Sequence, residues 1–495
     1  MLIDAFFALF DIWVLLAMIA GIAIGIVIGA IPGLGPSLAI ALLIPVTFSM
    51  QPIPALLLLL GVYQGAIFGG SISAILLNVP GTPSAAATAL DGYPMARRGD
   101  GSRALRLALY ASVFGNFFSC LVLLALAQPL ASAALDFGPA EMAVLIFFAL
   151  LVIVLLGGGS KLDALIMVLV GICAGLVGLD PISGSPRFTF DTFALESGLG
   201  LIPVLIGLFA MSEVLTQLFD RPAGRATVTP VPAVSGAHVG FLAMWGLRTT
   251  LLLSSLVGTF IGILPGIGST IPAFMSYNLA RARAPQPERF GQGEDAGVAA
   301  PEAANNAVTG GALVPMLALG IPGDAVTAVI LGAFMLQGLA PGPFLFRDHG
   351  VEVYAIIEGL LIASLPTILI GLLLFRVAIH VIRIQPRHLF PVIAILSIFG
   401  AYSVSNQLFD VWVMLGAGVA GFLFRRAGLP VPPLLIGLIL GAPLEQAIRQ
   451  ALLTSGGSPA IFIGSPIAIG FVVLTVLFVA STFLLPLLMR KVPRQ

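Results

Sequence analysis

Long apolar stretches separated by short polar connections run from one end of the chain to the other. A membrane-crossing helix needs roughly 20 apolar residues. Stretches of this kind fall near residues 12–31, 53–77, 104–128, 140–157, 162–179, 199–219, 241–264, 303–340, 351–375, 389–404, 408–424, 431–443 and 461–489. The stretch 303–340 is long enough for more than one pass, and Gly/Pro-broken pieces lie between the others. The pattern predicts an all-α polytopic membrane protein with about 10 to 13 crossings, some of them pieces that dip in and return. The longest polar connections, 91–103, 180–198, 220–240 and 281–302, leave no room for a sizeable extramembrane domain. Asp4 and Asp11 flank the first run where a signal peptide would be basic, so that run is expected to be a retained transmembrane helix.

Composition sharpens this picture. Of 495 residues, 59% are hydrophobic and 9% charged, with mean hydropathy +1.11. A soluble protein of this size would expose large apolar patches. Zero net charge and the lack of a basic face exclude a nucleic-acid binder. The lysines, Lys161 and Lys491, sit in no phosphate-binding loop, so no site for ATP hydrolysis is expected. Cys120 and Cys173 lie in apolar runs and read as small core residues, unable to build a disulfide framework or a metal site. His238, His349, His380 and His388 are scattered and read as loop or interfacial residues.

Gly and Pro cluster into motifs that occur twice. Gly29-Ala30-Ile31-Pro32-Gly33-Leu34-Gly35-Pro36-Ser37 is matched by Gly262-Ile263-Leu264-Pro265-Gly266-Ile267-Gly268-Ser269-Thr270, with Pro32 and Pro265 lying 233 residues apart. Gly69-Gly70 followed by Asn78-Val79-Pro80-Gly81-Thr82-Pro83-Ser84 is matched by Gly310-Gly311 followed by Gly320-Ile321-Pro322-Gly323-Asp324, with Pro80 and Pro322 lying 242 apart. A longer loop around 281–302 absorbs the difference. The order and spacing predict an internal duplication: a first repeat 1–219, a linker 220–240 and a second repeat 241–495. Loop 91–106 carries Arg97, Arg98, Arg103 and Arg106 against Asp91 and Asp100, whereas 341–352 carries Arg347 against Asp348 and Glu352. Basic loops stay cytoplasmic, so the repeats are expected to be inverted. The linker (Arg221, Arg225), the segment Arg376 to Arg387, Arg425-Arg426 and the tail Arg490-Lys491-Arg494 read as cytoplasmic, and the acidic N-terminus as external.

Pro breaks a helix and Gly lets the backbone turn and approach a ligand. Irregular backbone at membrane depth is tolerated only inside protein or along a polar cavity. Equivalent breaks in two inverted halves are the sequence sign of a midplane site in a secondary transporter. There, helix N-termini offer free N–H groups to an anion and exposed carbonyls can hold a hard cation. The expected substrate-binding set is Gly33, Gly35, Ser37, Gly81, Thr82, Ser84, Gly266, Gly268, Ser269 and Thr270, with Asn305 and Asn306 beside the last break. Glu302 is expected to line the same pathway. Asp324, expensive in a membrane unless paired, protonated or cation-bound, is expected with Gly323 to serve a coupled Na⁺ or proton. Glu213, Arg248 and Glu358 sit near the ends of spans and read as snorkelling side chains.

Over essentially its whole length the sequence resembles the large membrane subunit of tripartite tricarboxylate transporters, the TctA family. The resemblance rests on the two-fold organisation, the stretch at 29–37, the stretch Asn78 to Gly99 and the stretch Pro301 to Asp324. It implies a multi-pass protein of the bacterial inner membrane that takes up carboxylates by ion symport, often with Na⁺. It also implies two partners: a small membrane subunit of about four helices, TctB-like, and a periplasmic solute-binding protein, TctC-like. No cofactor beyond the coupling ion is expected, and the chain is not expected to be an enzyme. An intramembrane aspartyl protease is disfavoured because Ile321 stands where a G-x-G-D motif needs Gly and no second Asp sits in a matching span. A stand-alone carboxylate carrier or a channel is the remaining alternative.

Overall fold

A computed structural model describes residues 2–156, 160–219, 240–381 and 389–489. The linker, apart from Gly240, and the basic residues counted at 382–388 and 490–495 lie outside the described residues. Among the described residues the regular structure is helical apart from one two-residue hairpin, Gly178–Leu179 with Pro186–Arg187. Among the described residues, nine helices are long and apolar enough to cross a membrane, and four shorter apolar helices accompany them.

The principal helices of the first half are α1 (Ile12–Gly29), α2 (Pro36–Leu43), α3 (Pro52–Leu77), α4 (Ala85–Arg97), α5 (Gly101–Ala134), α6 (Pro139–Leu156), α7 (Lys161–Gly175) and α8 (Leu201–Phe219). Those of the second are α9 (Arg248–Ile263), α10 (Thr270–Arg283), α11 (Asp295–Leu319), α12 (Ala325–Leu336), α13 (Gly350–Val381), α14 (Phe390–Ser405), α15 (Leu408–Arg426) and α16 (Val431–Thr454), with α17 (Pro466–Met489) following. The order of long helix, break and short helix is the same in both. Partners between the halves are exchanged consistently: α5 lies on α11 as α13 lies on α3, α2 on α12 as α10 on α4, and α7 on α16 as α15 on α8.

Small residues set the closest packing. Gly21, Gly25 and Gly29 of α1 meet the backbone of α3 at Leu58, Val62 and Ala66, and Gly61, Gly65 and Gly69 of α3 return the contact. This four-residue spacing lets two helices approach without a side chain between them. The contacts advance together, so α1 and α3 are parallel and the chain from Ala30 to Gln51 must fold back, making α1 and α2 a broken hairpin. Gly258 on Ala304 and Gly262 on Val308 make α9 and α11 parallel in the same way. Equivalent helices of the two halves run antiparallel: Leu109, Asn116 and Gln128 of α5 meet Gly371, Ser364 and Tyr354 of α13. Residues 98–100, before α5, therefore lie at the opposite end of the bundle from 337–349, before α13. The Gln337 side chain bonds the Thr47 carbonyl at 2.9 Å, and Gly291 and Gly293 bond Asp91, so each end joins a connection of one half to a connection of the other. α3 forms the centre and is buried along its length, as expected for a helix apolar all round.

Three expectations change. The basic connection 91–103 is helical through Arg97, and only residues 98–100 link α4 to α5. Asp91, counted there as a loop charge, is fully buried, because it accepts the N–H groups of Gly291, Gly293 and Glu294 ahead of α11. Second, the glycine pairs align one residue differently. A Cβ on Gly69 would meet the Ile26 carbonyl and one on Gly311 the Thr259 carbonyl, so Gly69 corresponds to Gly311, and Gly70 to Ala312. Third, Cys120 is buried but Cys173 is exposed on the outer surface of α7.

Candidate functional site

The breaks after α1, α3, α9 and α11 converge. Gly33 and Gly266, equivalent in the repeat, both have positive φ, 89° and 81°, where a side chain would be strained. Gly81 packs on Gly29 and Gly70, and Gly323 packs on Gly262 and Ala312, the same triplet in each half. A Cβ on Gly81 would run into the Gly29 carbonyl, and one on Gly323 would lie 2.7 Å from the Gly262 carbonyl. The Gly81 N–H donates to the Gly70 carbonyl at 3.1 Å, and the Gly266 N–H donates to the Gly323 carbonyl at 2.7 Å. No backbone bond joins Gly33 to Gly81 among the described residues.

Between the breaks lies a cavity of about 330 Å³. It is lined by Gly33, Gly35, Ser37, Thr82, Ser84, Gly268, Ser269, Thr270 and Asp324 from the expected set. It does not reach Gly81, Gly266 or Gly323, which pack the breaks from behind, nor Asn305 and Asn306. Both asparagines are buried in α11: Asn306 donates to the Glu302 carbonyl one turn back, and neither polar atom of Asn305 has a hydrogen-bond partner among the described residues. Glu302 is also away from the cavity, bonded by Ser71, Thr88 and Ser112.

The N-cap residues of four helices face this space: Gly35 of α2, Ser84 of α4, Ser269 of α10 and Asp324 of α12. The first three make no side-chain cap; the first-turn N–H groups of α4 are taken by the Thr82, Pro83 and Ser84 carbonyls, whereas those of Ser37 and Leu38 in α2 and of Thr270 and Ile271 in α10 have no partner among the described residues. α12 is closed instead by its own carboxylate: Thr327 N–H donates to Asp324 Oδ1 at 2.7 Å and Asp324 N–H donates to Thr327 Oγ1 at 2.9 Å. Two helix starts with free N–H groups give the cavity donors suited to an anion.

Sequence reasoning missed three polar lining residues. Tyr63 of α3 donates its hydroxyl to Asp324 Oδ2 at 2.9 Å. Arg425 Nη1 donates to Glu213 Oε2 at 2.5 Å, and both line the cavity. Arg425 therefore sits in the last turn of α15 on the cavity wall, and Glu213 is ion-paired there instead of snorkelling. Close packing of α8 on α15 through Gly207, Gly418 and Gly421 brings the pair together, and a wide π turn at Gly207–Met211 presents Phe209 beside it. Arg248 does lie at a helix start, against the Trp245 ring, and Glu358 is on the second turn-and-a-half of α13 with Oε2 lacking a partner within the protein. A second cavity of about 290 Å³ between α6, α16 and α17 has only apolar side chains and Thr475 around it, and offers an anion nothing.

A model of the family described as "Tripartite tricarboxylate transporter TctA family" matches residues 15–436. A protein of Agrobacterium vitis described as "Uncharacterized 52.8 kDa protein in TAR-I ttuC' 3'region" is 39% identical over 429 residues, covering 87% of this chain and 85% of its own length. A second from the same organism, "Uncharacterized protein in TAR-II ttuC' 3'region", is 38% identical over 211 residues, 43% of this chain and 87% of its own length. No solved structure matches the chain.

Proposed function

The chain belongs to the tripartite tricarboxylate transporter TctA family, and from that premise we propose that it is the membrane subunit of a secondary transporter that takes up di- or tricarboxylates by symport with Na⁺ or H⁺. It works with a small TctB-like membrane subunit and receives substrate from a TctC-like periplasmic binding protein. Its place is the bacterial inner membrane, with residues 98–100 cytoplasmic and the start of α1 periplasmic. The two halves are inverted repeats that present one shared site alternately to each side.

One observation carries this reading: the free N–H groups of two helix starts, α2 and α10, and Arg425 converge on a single cavity. Its volume is at the small end of ligand clefts, about 300–1,000 Å³. Carboxylate oxygens complete the first-turn N–H groups of α2 and α10, while Ser37, Thr82, Ser84, Ser269 and Thr270 add hydroxyl donors. Arg425 supplies the one full positive charge on the wall, held in place by Glu213. A second carboxylate within the cavity, Asp324, would repel the substrate and is better suited to a coupled cation.

Reconstitution of the protein with both partners tests this. Accumulation of labelled carboxylate should vanish when the ion gradients are collapsed, and unlabelled substrate on the far side should accelerate exchange. Uptake that survives collapsed gradients and follows ATP would overturn the proposal. Flux without trans-stimulation would identify a channel, and full activity without the binding protein a stand-alone carrier.

A further inference from the structure

Three of the carboxyl groups buried where the halves meet, Asp91, Asp324 and Glu302, differ in the kind of hydrogen-bond partner they have. Asp91 accepts the backbone N–H groups of Gly291, Gly293 and Glu294 and the Tyr277 hydroxyl. Asp324 accepts the Thr327 N–H. A backbone N–H can only donate, so these shells serve the anion.

Glu302 has no such donor. Ser71 of α3 and Thr88 of α4 bond its Oε1, and Ser112 of α5 bonds its Oε2 at 2.8 Å. Glu302 is fully buried, and among the described residues no Arg, Lys or His forms an ion pair with it. The titratable and charged groups on the elements packed around it have other partners or lie elsewhere. Tyr63 of α3 bonds Asp324, Asp91 of α4 bonds the segment before α11, Arg103 of α5 pairs with Asp295 of α11, and Tyr277 of α10 bonds Asp91. Arg106 of α5 lies nearly two turns before Ser112, and Arg248 begins α9 at its far end.

A hydroxyl both donates and accepts, and changes role by rotating. When a proton joins the carboxylate, the new O–H donates to one hydroxyl oxygen, that hydroxyl turns away, and the cluster stays bonded. The shell therefore fits both forms of the carboxyl, whereas an unpaired carboxylate alone would be costly to bury. A hard metal ion sharing these oxygens would hold them apart at its coordination distance. Here the hydroxyls touch the carboxylate directly.

We propose that Glu302 is a proton-binding site, a carboxyl that passes between charged and neutral forms inside a shell of three hydroxyls. Glu302 belongs to the second half and all three hydroxyls to the first. Hydrogen bonds to a charged acceptor are roughly twice as strong as neutral ones, so protonation loosens the contact between the halves. That last consequence rests on the transport reading; the proton site does not.

The test is infrared difference spectroscopy of the full-length protein in lipid vesicles, between alkaline and acidic buffer, in H₂O and D₂O. We expect the C=O band of a buried protonated carboxyl to grow on acidification, to disappear in Glu302→Gln and to persist in Asp324→Asn. A band that survives Glu302→Gln, or no buried-carboxyl band at all, overturns the proposal. Should Glu302→Gln fail to fold, Ser112→Ala keeps the carboxyl and removes one partner. It should move the titration midpoint by about one pH unit, and an unmoved band and midpoint would overturn the assignment. The spectrum needs neither substrate nor gradient, so a failed uptake assay leaves this result standing.

Discussion

Tyr63 and Asp324 come from opposite halves and meet through one hydrogen bond of 2.9 Å on the wall of the cavity. The bond ties the central helix of the first half to the last break of the second. Asp324 thus has two positions to fill, capping α12 and facing the cavity, and substitutions can separate them.

Asparagine caps a helix about as well as aspartate, so Asp324→Asn should fold normally. We expect its apparent Na⁺ or H⁺ affinity in uptake to fall at least about tenfold, or ~1.4 kcal/mol. Tyr63→Phe keeps the charge and should change ion affinity less. The measurement is initial uptake rate against Na⁺ concentration and pH at equal membrane abundance. Curves for Asp324→Asn that superimpose on wild type would reduce Asp324 to a helix cap.

Arg425→Ala leaves Glu213 without its cation in a largely enclosed site, and the fold should lose about 2 kcal/mol or more. The double variant Arg425→Ala/Glu213→Ala removes both charges and should recover most of that stability. If Arg425 receives a substrate carboxylate, the double variant still shows a KM raised about tenfold or more with folding restored. Thermal melts of the three proteins beside their uptake KM separate the two effects. Recovery of KM together with stability would assign the pair a structural role only.

Sidedness is checked by single cysteines in a background lacking Cys120 and Cys173. Cysteines at Gly99 and at Gly342 lie in connections at opposite ends of the bundle. An impermeant maleimide applied to intact cells should label Gly342→Cys and spare Gly99→Cys. Equal labelling would contradict inverted halves.

The glycine contacts predict a paired sensitivity. Gly81→Ala and Gly323→Ala push a methyl group into the backbone of α1 and α9, and such overpacking costs roughly 1–3 kcal/mol or more. Gly35→Ala meets nothing within 4 Å, so stability should hold while the α2 helix start facing the cavity is partly covered. Melting temperature and uptake are expected to fall together for the first two and to part for the third. Normal melting of Gly81→Ala would show that the break is looser than its packing implies.

Much of the fold was legible because lipid leaves a chain few options. Apolar runs mark the spans, and Pro-Gly clusters mark where they stop, so the four breaks and their order could be read directly. Nine members of the expected site do line one cavity. What could not be read was contact across the chain. Tyr63 looks like one aromatic in an apolar run, and only the antiparallel crossing of α3 and α11 brings it to Asp324. Glu213 and Arg425 each look like an end-of-helix charge. The register of Gly69-Gly70 was misread by one residue because adjacent glycines look alike until their neighbours are known. Asn305 and Asn306 precede the last break in sequence but, lying on α11 several turns before it, stay inside the core.

Among the described residues the Gly266–Gly323 bond has no twin between Gly33 and Gly81. In the second half the two tips are tied to each other, so parting them breaks a bond; in the first half Gly81 is tied to Gly70 of α3 instead. A backbone bond of about 1 kcal/mol biases such a parting roughly fivefold. Motifs that look alike in the sequence would then differ in how easily their tips separate.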